Sequence, residues 1–90
     1  MKNLAVFVSG SGSDLQSIID AINCGSLEAK IKVVIAGKPA IYALERAKTA
    51  GIDGVVFDKR NYTNISIMYE DIIKLLKSLE IDYIVLAGYL

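Results

Sequence analysis

Val8-Ser9-Gly10-Ser11-Gly12-Ser13-Asp14-Leu15-Gln16 is the stretch on which the reading of this chain turns. An apolar run, Leu4 to Val8, leads into it, and Leu15, Ile18, Ile19 and Ile22 follow at helical spacing. A strand therefore passes through a glycine-serine turn into a helix. The two glycines permit backbone angles closed to other residues, and they let a ligand approach the main chain with no Cβ in the way. A helix start also carries unpaired N–H groups and the positive end of the helix dipole, which suits a phosphate or another anion. The hydroxyls of Ser11 and Ser13 add donors. Gly10, Ser11, Gly12, Ser13 and Asp14 are accordingly the candidate anion-binding residues. The same segment also suits a tight turn with no ligand, because Ser13 and Gln16 stand at capping-box spacing.

Further along, three more runs read as strands: Ile31 to Ala36, Val55 to Phe57 and Tyr83 to Ala87. They are continuous and rich in Val and Ile, as in strands covered on both faces of a parallel sheet. A second helix begins after Pro39, places Ile41, Leu44 and Ala47 on one face, and stops at Gly51. Proline suits a first helical turn, whose N–H groups are unpaired anyway. A third helix carries Met68, Ile72, Leu75, Leu76 and Leu79, with Thr63 or Asn64 as its cap and Glu70, Lys74 and Lys77 turned to water.

The order β-α-β-α-β-α-β predicts an α/β fold, an open, doubly wound parallel sheet of Rossmann-like type with helices on both faces. Residues 1–90 read as one phosphate-binding α/β domain. Ligand sites of such sheets are built by loops just past the strand ends. Here only Tyr89 and Leu90 follow Ala87-Gly88, so the expectation is the N-terminal part of a longer protein. The apolar last strand would then be an open edge, and self-association through it is expected.

Composition narrows the function. Ten basic residues balance ten acidic ones, which removes the long-range attraction that nucleic acid or an anionic membrane needs. There is no histidine and only one cysteine, Cys24, so neither an imidazole base nor a cysteine metal cluster is available, and no metal is expected. No apolar stretch suits a signal peptide or a membrane span, and the chain reads as cytoplasmic. Cys24 and the tyrosines Tyr42, Tyr62, Tyr69 and Tyr83 read as packing groups. Lys38, Asp58, Lys59 and Arg60 read as solvated loop charges.

The anion is not specified by a standard fingerprint. A dinucleotide motif needs a third glycine, where Leu15 stands, and an acidic residue after the second strand, where Ala36-Gly37-Lys38 stands. A nucleotide-hydrolase phosphate loop needs a lysine after Gly12, and none is present. A small phosphorylated metabolite fits better.

Three segments together carry a family resemblance. Ser9-Gly10-Ser11-Gly12-Ser13-Asp14-Leu15-Gln16, then Leu44-Glu45-Arg46-Ala47 running to Ala50-Gly51-Ile52, then Val85-Leu86-Ala87-Gly88-Tyr89-Leu90 resemble the N-terminal half of the phosphoribosylglycinamide formyltransferases, in matching order and separation. The resemblance implies folate-dependent formyl transfer in purine biosynthesis, with glycinamide ribonucleotide as substrate and 10-formyltetrahydrofolate as co-substrate. It places Gly12, Ser13 and Asp14 at the phosphate, and Gly88, Tyr89 and Leu90 at the edge of the formyl-folate pocket. Family members often have asparagine where Asp14 stands. A carboxylate there favours the helix dipole but repels a dianion, so Asp14 is expected to cap the helix and contribute only its N–H. The position matching the family's basic residue near the folate is Ser66. The family's catalytic asparagine, histidine and aspartate have no counterpart in these 90 residues, so no catalytic residue is assigned and the chain alone is expected to be inactive. The alternative is a non-catalytic module that binds a nucleotide or sugar phosphate.

Overall fold

The computed structural model describes residues 1–88. Its elements are β1 (Lys2–Val8), α1 (Ser13–Asn23), β2 (Ala29–Ala36), α2 (Tyr42–Thr49), β3 (Gly54–Val56), α3 (Ile65–Ser78) and β4 (Tyr83–Ala87), with a 3-10 turn at Lys59–Asn61. The four strands form one parallel sheet in the order β3-β2-β1-β4. Tyr89 and Leu90, assigned from the sequence to the edge of the folate pocket, lie outside the described residues.

Two apolar layers cover the sheet. Leu4, Val6 and Val8 point to one side, where Leu15 and Ile19 of α1 and Ala43 and Ala47 of α2 close over them. Ala5 and Phe7 point to the other, against Met68 and Ile72 of α3. Such alternation is the two-residue period of a strand, and it puts helices on both faces as the sequence predicts. In β2 the period is interrupted. Leu4 pairs with Ile31 but Ala5 with Val33, so Lys32 is an extra residue in the ladder. That bulge lets Ile31 serve the first layer and Val33 the second.

β1 is the point where the winding reverses. The chain leaves it through α1 toward β2 on one side, and returns through α3 to β4 on the other. Crevices at the carboxyl ends of strands around such a reversal are where open α/β sheets place ligands.

The second helix differs from its expected start. Pro39 lies outside α2, Ile41 is the N-cap, and Ala40 takes a left-handed φ of 59°. The extended pre-helical turn is imposed by the main-chain bond from the Ala43 N–H to the Gly10 carbonyl, 3.1 Å. α3 begins at one of the two expected caps, with the Asn64 side chain accepting from the Ser66 N–H at 2.9 Å.

All three helices end in the same motif. In α1 the Ser26 N–H reaches the Ala21 carbonyl with Gly25 left-handed, and in α2 the Ile52 N–H reaches Ala47 with Gly51 left-handed. α3 repeats this from Ile81 to Leu76, but the left-handed position is Glu80, φ 54°. Replacing Glu80→Gly should relieve that conformation and raise stability by about 0.5–1 kcal/mol. An unchanged or lower denaturant midpoint would contradict it.

Candidate anion-binding site

Gly12, with φ 74°, is the N-cap of α1, and no side chain caps the helix. This corrects the sequence expectation twice. Ser13 is not the cap but the first helical residue, and Asp14 does not cap either. The expected capping-box partner, Gln16, is turned away from the helix start: its amide nitrogen donates to Asp20 at 3.0 Å and its oxygen accepts from Arg46 at 3.2 Å. The first bond of the helical ladder runs from the Gln16 N–H to the Gly12 carbonyl, 2.9 Å. Among the described residues, the N–H groups of Ser13, Asp14 and Leu15 have no protein acceptor. Ser11, Ser13 and Asp14 are exposed, so this helix mouth opens to solvent. Unpaired amides, the dipole and access coincide there, which is the physical basis of an anion site.

α2 holds the turn from behind. Besides the Ala43 bond to Gly10, the Arg46 Nε donates to the Ser11 carbonyl at 2.7 Å. A Cβ at Gly12 would lie 2.7 Å from both Cα and Cβ of Ala43. Glycine is required here for its backbone angle and for the close approach of α2. Arg46 itself lies under the Tyr42 ring, 5.0 Å from its centroid, a contact no sequence period announces.

The same loop meets the end of β4. Ser9 donates its hydroxyl to the Gly88 carbonyl, and Val8 forms an antiparallel bridge with Gly88. The Asp14 carboxylate lies 4.0 Å from where a Gly88 Cβ would stand. Gly88 is thus beside the helix mouth, next to Ser9 and Asp14. Nothing in the sequence distinguishes Ser9 from the neighbouring serines of the turn.

A cleft of about 670 Å³ adjoins this region at the carboxyl ends of β1, β2 and β3. Its walls are apolar at Ile41, Phe57 and Met68, and Lys38, Lys59 and Arg60 give it a cationic rim. Ser9 and Gly10 line it, whereas Ser11, Gly12, Ser13 and Asp14 do not. The candidate residues are therefore split between the cleft and the adjacent helix mouth.

Asp58 on the cleft wall is not a solvated loop charge. It is buried, accepts from the Arg60 backbone N–H at 3.0 Å and pairs with the Arg60 guanidinium at 2.6 Å. The Arg60 side-chain and backbone bonds hold its carboxyl at about 2, against an ordinary 3.8. A depressed carboxyl stabilises the fold above its ordinary value and loses that contribution as pH falls through its folded value. Asp58→Asn should therefore flatten the acid limb of a melting-temperature profile between 3.8 and about 2. An acid limb with unchanged slope would refute the assignment. Other residues read as packing groups are also corrected. Cys24 is exposed with its sulfur 3.3 Å from the Ser26 hydroxyl, and Tyr42, Tyr69 and Tyr83 are exposed. No group of three or more His, Cys, Asp or Glu among the described residues is placed to hold a metal.

A parallel sheet with an open helix mouth beside its winding reversal defines an α/β protein with a glycine-serine strand-to-helix turn. Residues 2–90 match the family model described as formyl transferase, and the chain belongs to that family. It is 48% identical over 90 residues to phosphoribosylglycinamide formyltransferase of Haemophilus influenzae, covering 100% of this chain and 42% of the relative. The enzyme of that name from Dictyostelium discoideum is 42% identical over 96 residues, covering 98% of this chain and 47% of its own. The crystal structure of glycinamide ribonucleotide transformylase 1 from Geobacillus kaustophilus superposes with a TM-score of 0.96 at 38% identity, covering 100% of this chain and 48% of that one. The chain spans less than half the length of these relatives.

Proposed function

We propose that residues 1–90 form the phosphate-holding α/β domain of a phosphoribosylglycinamide formyltransferase, as its N-terminal part. The N–H groups of Gly12, Ser13 and Asp14, helped by Gly10 and Ser11, take the phosphate of glycinamide ribonucleotide. The end of β4, at Gly88, forms an edge of the pocket for 10-formyltetrahydrofolate. In the reaction the substrate amine attacks the formyl carbon. A carbon–nitrogen bond forms there, the bond from that carbon to the folate N10 breaks, and the amine's proton passes to N10. This domain contributes positioning, holding one end of the substrate so that its amine meets the formyl group.

The observation that carries this reading is the pair of unpaired amides at Ser13 and Asp14, both exposed at the helix mouth, in a chain of this family. The Asp14 carboxylate faces the end of β4, which leaves its N–H for the phosphate. The compartment proposed for this chain is the cytoplasm. Titration of the 90-residue chain with glycinamide ribonucleotide tests the reading. Saturable binding that inorganic phosphate competes away, without turnover, is expected. No binding at millimolar concentration would overturn it.

The open β4 edge carries exposed Tyr83, Ile84 and Leu86, and pairing of two copies there is part of the proposal. Light scattering should show concentration-dependent dimers. A clean monomer at high concentration would remove that part alone.

A further inference from the structure

We propose that Arg46 is a positioning residue for the anion site, aiming its amides through the carbonyl of Ser11. The inference rests on the phosphate reading above. A trans peptide is planar, so its C=O and the following N–H point in opposite directions. The Ser11 carbonyl and the Gly12 N–H belong to one such unit. Arg46 Nε grips that carbonyl at 2.7 Å from the α2 side, which turns the Gly12 N–H away from α2. The Ala43 N–H grips the Gly10 carbonyl at 3.1 Å and orients the Ser11 N–H in the same way. Two consecutive peptide planes are thus set by one helix before any ligand arrives.

The guanidinium does more than hold a direction. A bond from a cation to a carbonyl polarises the peptide, so the N–H at its other end becomes a stronger donor. Arg46 is itself held on three sides, by Ser11, by the Gln16 side chain at 3.2 Å and by the Tyr42 ring. It is half-buried, so little side-chain entropy remains to be lost on binding. The arrangement explains why Gln16 faces α2 rather than its own helix start: it completes the seat of Arg46.

The test compares Arg46→Ala and Arg46→Lys with the parent chain, titrating inorganic phosphate and glycinamide ribonucleotide while following backbone amide resonances. Loss of a charged hydrogen bond predicts binding weakened about tenfold or more in Arg46→Ala. The Gly12 and Ser13 amides should then no longer shift with phosphate, and Arg46→Lys should recover part of the affinity. Ile72→Val, on the opposite face of the sheet, lowers stability without touching the loop and should keep parental affinity. Parental affinity in a folded Arg46→Ala overturns the inference alone, as does an equal loss in Ile72→Val. A parent chain that binds neither ligand overturns the proposed function and this inference with it.

Discussion

Gly12→Ala should abolish phosphate binding and destabilise the fold by about 2–5 kcal/mol. Two costs combine. A left-handed angle of 74° carries a penalty of about 1–2 kcal/mol for a residue with a Cβ. The added methyl would also meet Ala43 at 2.7 Å, with backbone as well as side chain in the way, and forced overpacking costs about 1–3 kcal/mol. Relief requires α2 to move off the turn, which releases the Gly10 and Ser11 carbonyls from Ala43 and Arg46. Binding therefore falls further than stability. Gly10→Ala is the informative contrast, because nothing lies within 4 Å of its added Cβ although φ is 60°. Calorimetric melting and phosphate titration of both variants check the difference, and equal effects would contradict the packing argument.

Leu15→Ala should cost about 2–5 kcal/mol, a large share of the stability of a 90-residue domain. Leu15 is completely buried and, with Ile35, is among the largest side chains of the described residues that have no exposure. Ile19 is the other fully buried residue of α1, so removing Leu15 leaves it with only the partly buried Ile18 and Ile22 to hold the helix on the sheet. The helix start carries the candidate site, and loosening it should weaken anion binding as well. Denaturant unfolding measures the first effect, with Leu27→Ala as an exposed control expected to change little. A Leu15→Ala midpoint equal to that control would show that α1 is held otherwise.

Much of this was legible in the residues. Strand order along the chain, helices on both faces and the position of the glycine-serine turn follow from apolar spacing, because a buried face imposes its period on the sequence. The caps were less legible. Asn64 caps α3 and is one of the two caps the sequence offers, whereas Ser13 and Gln16 match a capping box that the fold does not form. The reason is tertiary: Arg46, thirty residues away in sequence, donates to the Gln16 oxygen and holds that side chain toward α2. Asp58 differs from its reading as a solvated charge for a local reason: the 3-10 turn it caps folds the Arg60 side chain back onto its carboxylate.

What the sequence determined alone is the alternation of strand and helix, the glycine at the α1 mouth and the kinship with formyl transferases, all of which are written in local spacing and motif. Only the tertiary structure decided that β1 lies between β2 and β4, that Ser9 ties the loop to Gly88, and that α2 sets the loop carbonyls. Local preference acts over one or two turns of chain. These contacts join residues about thirty to eighty positions apart, and packing of both sheet faces is what brings them within bonding distance.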